Sequence, residues 1–152
     1  MLLFLAFLIG IIAGLRALTA PAAVAWGAAL GWFDVSQTPL AFMGYRWTPW
    51  IFTLLALVEL VTDQLPSTPS RKVPMQFGAR LIMGALSGAT IGAAGGSLIP
   101  GLIAGILGAV SGTLGGAAAR GKLASAFRRD PPAAILEDAV AIVGAILIVA
   151  SV

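Results

Sequence analysis

Five stretches of this chain are apolar over lengths that a helix needs to cross a bilayer. They run from Leu2 to about Ala20, from Thr48 to Leu65, from Gln76 to Gly95, from Leu102 to Ala119, and from Asp130 to Val152. About 20 helical residues span the roughly 30 Å of bilayer hydrocarbon, and backbone in that medium must satisfy its polar groups internally. Hydrophobic residues make up 59% of the chain and charged residues only 10%, against about 25% charge in a soluble domain. The expected fold is therefore all-α, a polytopic transmembrane helix bundle of about five spans, with residues 1–152 forming a single domain. The first apolar run lacks the positive flank of a signal peptide and reads as a retained span.

Pro21 interrupts the pattern before a second apolar piece, "AAVAWGAALGWF". It either kinks one long tilted helix or opens a short helix of its own, making six helices in all. Trp26, Trp32, Tyr45, Trp47 and Trp50 then form the kind of aromatic belt found at a membrane surface, and Arg46 beside them is an interfacial anchor. The segment "DQLPSTPSRKVP" stops the second span, "GGSLIPG" is a tight turn, and Asp130 followed by two prolines opens the last helix.

Charge asymmetry orients such a bundle, because cytoplasmic loops carry the excess of Lys and Arg. Arg71, Lys72, Arg80, Arg120, Lys122, Arg128 and Arg129 fall on one face when five spans alternate. This predicts a multi-pass protein of the cytoplasmic (inner) membrane, its N-terminus inside and its C-terminus outside, with its basic loops against anionic lipid headgroups. Lipid accounts for the basic face without nucleic acid.

Glycine recurs every fourth residue at Gly84, Gly88, Gly92 and Gly96, and again at Gly108, Gly112 and Gly116, with "GALSG" echoed by "GAVSG". Glycine costs roughly 0.5–1 kcal/mol in a helix relative to alanine. In lipid, where apolar burial gives helices little reason to associate, smooth stripes offset that cost by letting backbones approach. A Gly-rich helical hairpin over 78–120 is expected, with stripe meeting stripe inside the hairpin or against another copy of the chain in a homo-oligomer.

Arg16, Glu59, Asp63, Arg80, Glu137 and Asp138 fall in or at the edge of apolar spans. A charge near the bilayer centre costs at least about 2.5–3.5 kcal/mol, so these groups should pair or face water. Depth along the helices makes Arg16 with Glu59, and Asp63 with Arg80, reasonable pairs, while Glu137 and Asp138 suit the positive end of the last helix or an inner acidic cluster. The chain has no cysteine and no histidine. That removes disulfides, thiolate sites and the commonest general base; no catalytic residue, metal site or cofactor is called for.

The runs "GLRALTAP" (14–21), "ELVTDQLPSTPSR" (59–71), "GARLIMGALSG" (78–88) and the pair "ED" (137–138) resemble the bacterial integral membrane family known as the domain of unknown function DUF4126. The resemblance extends over nearly the whole chain. It implies a membrane fold and singles out Arg16, Glu59, Asp63 and Pro66, and it implies no activity or cofactor. Three functions fit the sequence. The first is a small transporter or channel for a solute or ion, with Arg16, Glu59, Asp63, Arg80, Glu137 and Asp138 lining the path. The second is a non-transporting scaffold whose charges are structural, and the third is a lipid-modifying enzyme, weakened by the lack of any recognisable nucleophile.

Overall fold

The computed structural model describes residues 1–62, 74–127 and 130–152. These residues form six α-helices and no strand: α1 (Leu2–Leu15), α2 (Thr19–Ala29), α3 (Thr48–Thr62), α4 (Pro74–Ala94), α5 (Leu98–Phe127) and α6 (Asp130–Ala150), with a 3-10 turn at Ala41–Gly44 between α2 and α3. The fold is all-α. Met75–Ala94 and Leu98–Ala119 are long and apolar enough to cross a membrane, whereas α1 and α3 are apolar but shorter.

The segment after Pro21 belongs to a separate helix, but the break lies earlier. Helix α1 stops at Leu15, Arg16 is extended at φ −140° and ψ 110°, and α2 starts at Thr19. Pro21 is accommodated in the first turn of α2, where a missing N–H leaves no hydrogen bond unmade. Helix α2 then turns back. Glu59 of α3 meets Ala17 and Leu18, while Thr53, six residues earlier on α3, meets Trp26. On α6, Asp138 meets Arg16, Gly144 lies against Ile12, and Val149 lies against Gly27. Both flanks of the break therefore run away from it in the same direction, making α1 and α2 a helical hairpin with Arg16, Ala17 and Leu18 at its tip.

The reversal also decides at which end of the described bundle the termini stand. Leu2 packs on Gly95, beside the turn between α4 and α5, and α6 runs from the hairpin tip back towards that same end. Both termini share it. The end carrying positions 120 and 122 of α5 is the opposite one.

Helices α1, α4 and α5 form the centre, joined by backbones in contact. A Cβ at Gly88 would stand 2.5 Å from the Gly101 carbonyl oxygen and 2.7 Å from the Gly105 Cα, and one at Gly84 would stand 2.7 Å from Ala109 Cβ. At Gly92 it would meet Ser97 and Gly101. The α4 stripe thus packs against Gly101 and Gly105 of α5. Gly108 and Gly112 face elsewhere, onto Phe7, Gly10 and Ile11 of α1. One helix carries two smooth rows about a quarter of a turn apart at any one height, and clamps two neighbours. Gly116 is half-buried, a turn beyond that second row.

Gly96 is a correction of a different kind, because it is not in a packing stripe. Its φ is +76°, and a Cβ there would meet nothing within 4 Å. Gly96 N–H donates to Ala93 O at 3.0 Å and Ser97 N–H to Gly92 O at 2.8 Å, the paired bonds that end a helix on a left-handed residue. Gly31, with φ +80°, ends α2 in the same way through Trp32 N–H to Gly27 O at 2.9 Å. Because "SLIPG" belongs to α5 from Leu98 onward, the turn is shorter than the sequence suggests, and α5 continues through "RGKLASAF" to Phe127.

Candidate functional site

Breaking a helix leaves free carbonyls on one side and free N–H groups on the other. At the α1–α2 tip, charged side chains from other helices meet both sets. Arg80 of α4 donates from Nη1 to Gly14 O at 3.0 Å and to Leu15 O at 2.8 Å, closing the end of α1. Thr113 of α5 adds a hydroxyl at 3.5 Å from Gly14 O. On the other flank Glu59 accepts Ala17 N–H on Oε2 and Leu18 N–H on Oε1, each at 2.9 Å. Cation at a helix C-terminus and anion at an N-terminus are the arrangement that helix dipoles favour.

Arg16 itself, at the tip, is fully buried. Its Nε donates to Asp138 Oδ1 at 2.6 Å and its Nη1 lies 3.8 Å from Glu137 Oε1, joining the hairpin to α6. A guanidinium this deep needs a partner carboxylate, since the attraction must offset the loss of water from both ions. The structure brings Arg16, Glu59, Arg80, Glu137 and Asp138 together around one three-residue break. Asp63, and with it the Asp63–Arg80 pair expected from depth, lies outside the described residues.

Depth along each helix agrees on where this site lies. At about 1.5 Å per residue, Arg80 is roughly 9 Å into α4 and Glu137 roughly 10 Å into α6 from the end where those helices begin, while the tip is roughly 21 Å from the start of α1. The site lies well inside the bundle, nearer the end opposite the termini. Among the described residues no group of His, Cys, Asp or Glu side chains is arranged to hold a metal ion.

Two contributors escaped the sequence reading. The main-chain N–H groups of Ala17 and Leu18 carry no side-chain signature, and Thr113 lies in a glycine-rich run that reads as packing. Far from the site, the aromatic belt closes α2 onto α3: Trp26 Nε1 donates to Thr53 Oγ1 at 2.8 Å, and its ring meets Trp50 edge-on at 5.1 Å. Arg46 stacks over Trp47 at 5.0 Å, the contact of an aromatic face with a cation.

The fold and site together define a class: an all-helical bundle built on a glycine-clamped centre, with a buried cluster of ionisable side chains holding open a broken helical hairpin. The chain matches no family model, no curated protein and no solved structure.

Proposed function

We propose that this chain is a small polytopic membrane protein that moves a small solute or ion, and that the α1–α2 break is its site. The observation that carries this reading is the break itself: irregular backbone deep in an apolar bundle, its free N–H and C=O groups met by Glu59 and Arg80 from two other helices. Non-helical backbone at membrane depth is tolerated where it is buried in protein or lines a cavity, and facing half-helix ends build substrate sites in transporters.

The outer surface supports the membrane part of the reading. Ile51, Leu54, Leu55, Leu57, Val58 and Val61 of α3 are exposed, and α6 presents a similar row from Ile135 to Leu147. A water-soluble bundle would bury those rows. In this reading α3, α4, α5 and α6 cross the bilayer, and the α1–α2 hairpin enters and returns on one side because the chain reverses at its tip. The positive-inside rule then sets the basic end in the cytoplasm, against anionic headgroups, and both termini outside. An inner-membrane location, a homo-oligomer joined through α3 or α6, and membership of the DUF4126 family belong to the same proposal.

The chain lacks cysteine, so Ser36→Cys and Ser125→Cys, both at exposed positions, report sidedness with an impermeant maleimide. Labelling of Ser36→Cys from outside and of Ser125→Cys only after lysis is expected. For transport, proteoliposomes screened with monovalent cations, protons and small anions should pass at least one, at a rate altered by Glu59→Gln. Vesicles that stay tight to the whole panel would overturn the reading.

A second reading, a non-transporting scaffold, is favoured by one observation: Arg16 is wholly buried and bound to Asp138, as a structural pair would be. It predicts tight vesicles and no effect of Glu59→Gln beyond stability.

A further inference from the structure

The N-terminus of α2 holds a carboxylate in the manner of a ligand. Each oxygen of Glu59 takes one main-chain N–H, Ala17 on Oε2 and Leu18 on Oε1, both at 2.9 Å, and the eleven-residue α2 aims the positive end of its dipole at the pair. A second, separate observation concerns the next residue. Thr19 is 7% exposed, and its hydroxyl has no hydrogen-bond partner among the described residues, so a buried donor stands unused in the first turn of the same helix. Buried hydroxyls are normally bonded, and one left over calls for a missing partner.

The carboxylate is delivered from a helix that stands outside the α1, α4 and α5 centre. Only Pro49 and Ala56 of α3 are buried, and α3 packs chiefly on α2 and the 3-10 turn. Glu59 itself is half-buried. Withdrawing α3 by a few ångströms would uncover the two N–H groups without disturbing the α1, α4 and α5 centre.

We infer that the chain entering α2, Ala17 to Thr19, is a binding site for a small monovalent anion, of halide or formate size, and that Glu59 is a tethered competitor occupying it in the conformation seen. This rests on the transport reading and gives it a substrate class. Among the described residues the other charged groups at the break are Arg16, Arg80 on α4, and Glu137 and Asp138 on α6; Asp63, one turn beyond Glu59, lies outside the described residues. The two guanidiniums favour an anion, and the α6 carboxylates, one bonded to Arg16, keep it from being held too tightly. Protonation of Glu59 removes the competitor's charge, so anion occupancy rises as pH falls.

Glu59→Ala deletes the competitor and leaves the cradle. Purified in detergent, this variant should melt at a lower temperature than wild type, and sodium formate should raise that temperature saturably, while sodium gluconate, too large for the space vacated, should not. Wild type near neutral pH should show no formate effect; Glu59→Gln, whose amide oxygen accepts one N–H and has no charge, should show an intermediate one. Formate leaving Glu59→Ala unchanged, in protein that remains monodisperse, overturns the inference. If Glu59→Ala does not fold, wild type melted in formate and gluconate at a series of falling pH values tests the same point: a formate-specific rise that grows on acidification is expected, and its absence overturns the inference. Chloride and monovalent-cation flux from proteoliposomes separates the two proposals. Formate rescue with tight vesicles retains the anion site and rejects transport, and cation flux without rescue retains transport and rejects the anion site.

Discussion

Gly105 is the position where three helices meet, which makes it the sharpest test of the packing account. Its carbonyl lies against Gly10 of α1, and a Cβ built on it would run into the Gly84 carbonyl and lie 3.0 Å from the Gly88 Cα. All the atoms met are main chain, so no side chain can swing aside. Gly115, ten residues further along α5, is exposed, and a Cβ there meets nothing within 4 Å. Gly→Ala at either site gains the same helix propensity, up to about 1 kcal/mol. At Gly105 overpacking opposes it by about 1–3 kcal/mol; at Gly115 nothing does. The propensity term cancels when the two variants are compared, leaving Gly105→Ala less stable than Gly115→Ala by about 1–3 kcal/mol, with Gly115→Ala at or above wild type. Reversible unfolding in mixed dodecylmaltoside and SDS micelles, followed by tryptophan fluorescence, measures both. Equal shifts in the two variants would refute close backbone packing at this crossing.

Other expectations follow from the charged cluster and the loops. Arg16→Met strands Asp138 and Glu137 and should cost about 3–5 kcal/mol; adding Asp138→Leu should recover part of that, and strict additivity in the cycle would deny the pairing. Arg80→Met removes the charged donor from the Gly14 and Leu15 carbonyls, leaving them the weaker contacts of Thr113 at 3.5 Å and Arg16 Nη1 at 3.2 Å, and should cost about 1.5–3 kcal/mol, the range for hydrogen bonds to a charged group, with faster amide exchange confined to the last turn of α1 as its signature. Asp34, outside the helices, accepts from the Ser36 side chain and from its N–H at 2.8 Å, which holds its carboxyl below the ordinary value of 3.8. Because the folded pKa is the lower one, the small stability it contributes is present above the ordinary pKa and lost as pH falls through the folded one. Asp34→Asn should therefore lower Tm slightly near pH 7 and not at strongly acid pH; an equal drop at both would contradict this.

What the sequence made legible were features fixed by local pattern. Apolar length marks α3, α4 and α6 within a few residues, Asp130 with its prolines marks the start of α6, and spacing of four marks the α4 stripe. The features missed depend on residues far apart in the chain. Pro21 is the obvious breaker, yet the helix stops before Arg16, because Glu59 and Arg80 supply the caps that make a break there tolerable. The same reversal brings α6 to the tip and so gives Arg16 its contact with Asp138. The stripe at Gly108 and Gly112 has the spacing of a partner for α4, but a helix has several faces, and Gly101 and Gly105, partly hidden in what reads as a turn, take that role. Gly96 continues the spacing of four by coincidence with the position that ends α4.

Whether the hairpin tip is wet or dry separates a pathway from a structural knot. Leu18, half-buried, next to Ala17 and the last residue of the break, is the position to probe with Leu18→Cys in an otherwise cysteine-free chain. The account predicts that a small, charged methanethiosulfonate reagent modifies this thiol in folded protein in liposomes, and that a small anion in excess slows the reaction. A thiol inert to the reagent until the protein is unfolded would contradict it.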